Sequence, residues 1–145
     1  MVILDKHQVA PSMVTIEITE QSLVRERGLE NIRKFKEQNM NIAIDDFSVG
    51  HSSLTQLSDI SADIIKIDKS LLDKVNVNGK LDSDAFVIYK TIVELGKHLR
   101  IKIVSEGVET LEEINILKEL NVSVGQGYYY SKPISKEEYV NLLKK

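Results

Sequence analysis

Two adjacent carboxylates, Asp45 and Asp46, end a short apolar run, Asn41-Ile-Ala-Ile-Asp45-Asp46-Phe47. Acids of the same kind recur at or just beyond the ends of other apolar runs: Glu17, Asp68, Glu106 and Glu109. So many carboxylates brought to one place repel one another unless cations or the single lysine among them, Lys66, neutralise the charge. A set of oxygen ligands, with no cysteine and no paired histidine motif, favours hard ions such as Mg²⁺ or Mn²⁺. Two such ions can activate water and steady the leaving oxygen of a phosphodiester.

Each of these residues also has a plainer reading. Acids beside helices serve as N-caps and loop salt bridges, and Asp59, Asp63, Asp73, Asp82 and Glu112 are read in that way. Lys66 is either a Schiff-base lysine, as barrel aldolases use, or a cation poised near an attacking water and a phosphate. Its plain alternative is a salt bridge to Asp45 or Glu106. His7 and His98 stand in polar helical surroundings and read as solvated, whereas His51 follows the acidic pair and could approach a ligand. Tyr128, Tyr129 and Tyr130 could stack on a base, but tyrosines in such a run more often serve core or rim.

The elements that must position these groups can be read from periodicity. Residues 2–10 read as the last turns of a helix that stops before Pro11. Val14 to Thr19 alternates as a first strand, and Leu29, Ile32 and Phe35 follow at helical spacing. Asn41 to Asp46 is a second strand, with Ile42 and Ile44 on one face and Ala43 and Asp45 on the other. Asp46 is offset by one residue, so the pair is no single-face patch. Residues 52–60 read as a short helix or ordered loop, and Ile64 to Asp68 as a third strand. After a polar insertion over 76–84 comes a helix carrying Ile88, Ile92, Leu95 and Leu99, then a fourth strand from Ile101 to Glu106. Thr110 with Glu113 forms a capping box for a helix whose buried stripe is Ile114, Leu117 and Leu120. A fifth strand covers Val124 to Tyr129, and Ser135 with Glu138 caps a terminal helix bearing Tyr139, Leu142 and Leu143.

Strand and helix alternate five times, the pattern of a parallel α/β sheet or barrel. One strand face is β-branched and apolar. The other carries Thr15, Glu17 and Thr19, then Ala43 and Asp45, then Lys66 and Asp68, then Glu106. A doubly wound sheet is apolar on both faces. A face that grows more charged toward the C-terminal strand ends suits the mouth of a (β/α)8 barrel. Five units are fewer than eight, so the expectation is the C-terminal part of a TIM-like barrel, incomplete in this chain.

At 145 residues, with 28% charged and 42% apolar residues, the chain is one domain's worth of ordinary soluble composition. A net charge of -3 gives no basic footprint for DNA. The absence of cysteine excludes disulfides, zinc thiolates and a thiol nucleophile. No apolar run approaches a membrane span and no signal peptide opens the chain, so no membrane contact from this segment and a cytoplasmic location are expected.

The motifs together resemble the C-terminal part of EAL domains, bacterial phosphodiesterases that hydrolyse the second messenger cyclic di-GMP. They are, in order, Ile16-Glu17-Ile-Thr-Glu20; Asp45-Asp46-Phe47 with Gly50 and Ser52-Ser53-Leu54; Ile65-Lys66-Ile67-Asp68; Glu106-Gly107-Val108-Glu109-Thr110; and Gln126-Gly127-Tyr128-Tyr129 leading to Ser131-Lys132-Pro133. The resemblance covers residues 1–145 as one portion of a single EAL domain, without the N-terminal strands or the Glu-Ala-Leu signature. It implies a two-metal site for Mg²⁺ or Mn²⁺, with Glu17 and Asp45 on the first ion and Asp45 bridging to the second, which Asp46 serves. It further implies that Lys66 holds or polarises the attacking water, and that Glu106 anchors the water around the ions. Gln126 would contact the ligand or a metal-bound water, Glu20 would brace the loop after Asp46, and Glu109 would support the site from behind.

Two departures shape the functional expectation. The family's N-terminal part supplies a metal-binding glutamate, a phosphate-contacting arginine and an asparagine ligand, none of which this chain contains in its motif. The loop after the acidic pair usually reads Gly-Thr-Gly-Tyr, but here it is Ser48-Val49-Gly50-His51. Fewer glycines restrict φ there, and the missing threonine hydroxyl removes a hydrogen-bond partner. The expected activity is opening of cyclic di-GMP to linear pGpG by a full-length parent domain, as a homodimer, with the fragment itself inactive. The alternative is a degenerate EAL domain that binds cyclic di-GMP or a protein partner without cleavage.

Overall fold

The computed structural model describes residues 2–19, 26–47, 60–77 and 80–144. Five strands form one parallel sheet: β1 (Thr15–Thr19), β2 (Asn41–Phe47), β3 (Ile64–Ile67), β6 (Lys102–Ser105) and β7 (Val124–Gly125), in the spatial order β1-β2-β3-β6-β7. Two-residue strands β4 (Asn76–Val77) and β5 (Lys80–Leu81) pair antiparallel as a separate ribbon. The helices are α1 (Val2–Lys6), α2 (Glu26–Glu37), α3 (Lys69–Val75), α4 (Ser83–Leu99), α5 (Leu111–Glu119) and α6 (Lys136–Leu142). Parallel neighbours require a crossover between them; among the described residues α2 supplies it from β1 to β2, α3 and α4 from β3 to β6, and α5 from β6 to β7. The architecture is a partial α/β barrel of the TIM type.

The core lies between the helices and the outer face of this sheet. Ile42, Ile44, Ile65 and Ile67 are completely buried there, and they meet Ile32, Leu72, Val93 and Leu117 from the helices. Register sets these isoleucines side by side: Ile44 pairs with Ile65, and Ile65 with Ile103. The residues between them necessarily point to the inner face, which therefore receives Glu17, Asp45 and Lys66. Burial of the outer row thus dictates where the charges go.

At the N-terminal end of the sheet, Asp63 accepts two hydrogen bonds from Lys36 Nζ, at 2.7 and 2.9 Å, and one from the Ile42 N–H at 2.7 Å. It ties α2 and β2 to the start of β3, the structural role read for it. Asp82 caps α4 by accepting from the Asp84 and Ala85 N–H groups, and Asp73 pairs with Lys69 at 2.8 Å. Both capping boxes form, Thr110 with Glu113 and Ser135 with Glu138.

Several expectations need correction. The first helix stops at Lys6, because Gln8 takes a left-handed conformation (φ 54°) and turns the chain before Pro11. Strand three ends at Ile67; Asp68 accepts from the Ser70 N–H and caps α3, a helix the periodicity reading missed. On α4 the buried positions are Tyr89, Ile92, Val93 and Gly96, whereas Ile88 and Leu99 stand exposed. The fifth strand is only Val124–Gly125, because the chain turns at Gly127, whose carbonyl accepts from the Tyr130 N–H. The three tyrosines of that turn are exposed rim residues, and α6 buries none of its side chains.

Candidate functional site

Lys66 is the hub of the inner face. From the middle strand its Nζ reaches Asp45 Oδ1 on β2 at 2.7 Å, Glu106 Oε1 just past β6 at 2.9 Å, and Glu17 Oε2 on β1 at 3.0 Å. Its side chain is 11% exposed while that of Glu17 is 52% exposed, so the ammonium lies beneath its acids. Burial works against the charge, but hydrogen bonds to Asp45, Glu106 and Glu17 outweigh it and hold the lysine pKa above its ordinary value. A Schiff-base lysine must shed its proton to attack a carbonyl. Lys66 is arranged to keep it, which argues against the aldolase reading. The plain salt bridges expected to Asp45 and Glu106 are both made.

The second carboxylate of the pair reaches the same mouth by a local irregularity. The register between β2 and β3 shifts between Ile44 and Phe47, and Asp46 takes a left-handed conformation with φ 55°. In a regular strand Asp46 would point with Ile42 and Ile44 into the helix layer. The bulge gives that place to Phe47, which joins the core, and leaves Asp46 exposed at the strand end. Bulges re-aim side chains in this way beside functional sites. A non-glycine residue in the left-handed region also carries strain that the surrounding structure must offset.

One carboxylate oxygen from each of Asp45, Asp46 and Glu106 lies within 4.8 Å of the others. Oxygens held at roughly 2.1 to 2.4 Å from one ion stand no farther apart than about 4.8 Å. The donor chemistry and spacing therefore fit a hard divalent cation. Glu17, Asp45 and Glu106 share one ammonium and Asp46 stands beside two of them, so Lys66 alone leaves a surplus of negative charge.

The turn bearing Glu106 is fastened on several sides. The Glu106 N–H donates to the Ile67 carbonyl at 3.0 Å, and the Val108 N–H to the Gln126 carbonyl at 3.0 Å. The Gln126 N–H donates in turn to the Ser105 carbonyl at 2.8 Å, and Glu113 accepts from the Glu109 and Thr110 N–H groups. A β-carbon on Gly127 would fall on the Val108 backbone, so only glycine permits this approach. Gln126 is thereby set beside the mouth, with its side chain exposed.

The remaining expected residues divide clearly. Glu109 lies outside the carboxylate cluster and pairs with Lys69 at 3.5 Å. Asp68, expected at the mouth, is a helix cap. His7 and His98 are exposed, and His98 Nδ1 lies 2.8 Å from the Glu94 carbonyl on its own helix. Glu20, the Ser48 to His51 loop, residues 52–54 and Asp59 lie outside the described residues. Sequence reasoning missed Lys69, and read Glu113 only as the capping-box partner of Thr110, not as a fastening of the Glu109 N–H. The available signal was spacing: Lys69 follows Lys66 by three residues as Glu109 follows Glu106.

A parallel β/α barrel portion with a carboxylate mouth suited to a divalent cation is the class that fold and site define. The EAL domain family model matches residues 1–133, and the chain belongs to this family. It is 33% identical over 138 residues to the Escherichia coli (strain K12) protein named "Probable cyclic di-GMP phosphodiesterase PdeB", covering 94% of this chain and 25% of that protein. The solved structure "PaMucR Phosphodiesterase, c-di-GMP complex", whose Pseudomonas aeruginosa protein is also a sequence relative, aligns with a TM-score of 0.85 at 33% identity. That alignment covers 94% of this chain and 54% of the other. Klebsiella pneumoniae BlrP1 in a manganese/cy-diGMP complex aligns with a TM-score of 0.78 at 30% identity, over 90% of this chain and 33% of that one. The chain thus spans about a quarter of PdeB and about half of the MucR structure. No helix among the described residues is long and apolar enough to cross a membrane.

Proposed function

We propose that the mouth formed by Glu17, Asp45, Asp46 and Glu106 holds divalent cations, Mg²⁺ or Mn²⁺, in a complete EAL domain that opens cyclic di-GMP to linear pGpG. The observation that carries this reading is the convergence of the Asp45, Asp46 and Glu106 oxygens within 4.8 Å around a mouth that Lys66 neutralises only in part. When bound, such ions activate water and steady the leaving oxygen of a phosphodiester. The chain's own residues do the rest. Asp45 and Asp46 present adjacent carboxylates through the bulge, Glu106 closes the cluster from β6, and Glu17 approaches from β1. Lys66 keeps its proton, holds these acids in place and offers a fixed cation to water or phosphate. Gln126 faces ligand, and Glu109 supports the Glu106 turn. The manganese and cyclic di-GMP named for BlrP1 support the same ligand classes here.

The 145-residue chain alone is expected to turn nothing over, since the five parallel strands among the described residues are fewer than the eight that close such a barrel. The test joins this segment to the remaining part of an EAL domain and follows cyclic di-GMP and pGpG by chromatography with Mn²⁺. Glu17→Ala and Lys66→Ala should each abolish turnover, and wild-type rates in both would sink the site assignment. Ligand binding without any pGpG would assign the domain to the non-cleaving alternative. Light scattering on the same protein tests the expected homodimer.

A further inference from the structure

Lys69 is the first residue of α3, directly after the Asp68 cap. Its ammonium lies 2.8 Å from Asp73 and 3.5 Å from Glu109. Its methylenes lie against Gly107: a β-carbon there would overlap the Lys69 Cβ, Cγ and Cδ, and Gly107 has a φ of +64°. One lysine thus touches the turn between Glu106 and Glu109 at two points, on its bend and at its far end. Lys66 and Lys69, three residues apart, face Glu106 and Glu109, also three apart, as two successive rungs. The outer rung is partly exposed and 3.5 Å long, and such a pair contributes little by charge alone. The packed stem supplies the greater hold, as long cationic side chains do when they lie along a surface.

We infer that Lys69 is a positioning residue, which sets Glu106 in the carboxylate cluster by clamping the Gly107 bend beneath its stem and tethering Glu109 with its ammonium. This rests on the reading of the mouth as a cation site. The same clamp reaches Gln126, because Val108 of that turn is hydrogen-bonded to the Gln126 carbonyl. Charge and position predict opposite outcomes here. Removing a nearby positive charge by itself tightens cation binding, whereas releasing the turn weakens it.

The experiment uses this segment joined to the remaining part of an EAL domain, with Mn²⁺ as the probe, its affinity read by electron paramagnetic resonance of the free ion. Amide exchange over residues 106–110 is measured by NMR without the ion. Lys69→Ala should bind Mn²⁺ about ten-fold more weakly, the lower end of what loss of a partner behind a metal ligand costs, and its turn amides should exchange faster. Lys69→Arg, with stem and charge kept, should restore both. If Lys69→Ala fails to fold, Lys69→Ser, which likewise lacks the Cγ, the Cδ and the charge, is read in the same way. Mn²⁺ affinity equal to or tighter than wild type overturns the inference, whatever the exchange rates. If the wild-type complete domain binds no Mn²⁺, the cation reading fails, and exchange rates alone decide whether Lys69 holds the turn.

Discussion

The two ends of the sheet both carry acids, and they treat them in opposite ways. At the N-terminal end, Asp63 has every need met: Lys36 and the Ile42 N–H surround its carboxylate. At the C-terminal end, Glu17, Asp45 and Glu106 share one ammonium while Asp46 stands beside them on a strained backbone. A satisfied acid stabilises a fold. A surplus of acids in a half-buried mouth costs stability unless something else binds there, and in β/α barrels the C-terminal face is the functional one. Among the described residues the buried hydroxyls without a well-formed hydrogen bond belong to Ser105, at the C-terminal end of β6, and to Tyr89, the α4 residue beside it.

The sharpest way to break this contrast is at the hub. Lys66→Met leaves the mouth without its cation, and urea unfolding free of divalent ions should show a loss of about 3 kcal/mol, as expected when one partner of a buried ion cluster is removed. Millimolar Mn²⁺ should return part of it. Bound at a hundred times its dissociation constant, Mn²⁺ should stabilise the wild type by about 2.7 kcal/mol. Asp45→Asn should lose most of that gain while its ion-free stability moves by under about 1 kcal/mol. At the other end, Asp63→Ala strands the Ile42 N–H and should cost about 2 kcal/mol, with the Mn²⁺ response intact. If Asp63→Ala removed that response as fully as Asp45→Asn, the two ends would not be functionally separate.

Alkaline pH gives a smaller test. Burial pushes the Tyr89 phenol up to about 12, with Ser105 tempering the effect, and Lys66 is also held above its ordinary value. The folded state keeps both protons more tightly than the unfolded chain does, so rising pH favours unfolding. Stability is complete below the ordinary tyrosine value near 10 and is lost as pH climbs toward the folded value. Unfolding free energies from urea at pH 9.5 and 11 should differ by roughly 1 kcal/mol on account of Tyr89. Tyr89→Phe should flatten that slope, and an unchanged slope would remove Tyr89 as its cause. Smallest of all, Ser135→Ala removes the cap of α6 and should cost at most about 1 kcal/mol, seen in helical signal at 222 nm.

Much of this architecture was legible because a buried row and a charged row alternate along the same strands. Ile42, Ile44, Ile65 and Ile67 declare the outer face, and the residues between them then had to be the site. Both capping boxes were equally plain, since each needs only residues three apart. The failures came where one position served two elements. Asp68 closes a strand in sequence but opens α3 in space, and that seven-residue helix is too short for periodicity to announce. The turn at Gly127 depends on the Val108 backbone, distant in sequence, so an apolar aromatic run read as a longer strand. Lys69 looked like any surface lysine because its partner is a glycine.

The bulge in β2 has a consequence for how this protein balances stability against activity. Without Asp46, residues Ile44, Asp45 and Phe47 would alternate without interruption, and the register with β3 would run straight through. The strand therefore contains one residue more than its fold requires. A chain lacking Asp46 should pair more regularly, without the left-handed residue, and lose the second acid of the mouth. Selection for thermostability alone would favour that deletion, whereas selection for cation binding would oppose it.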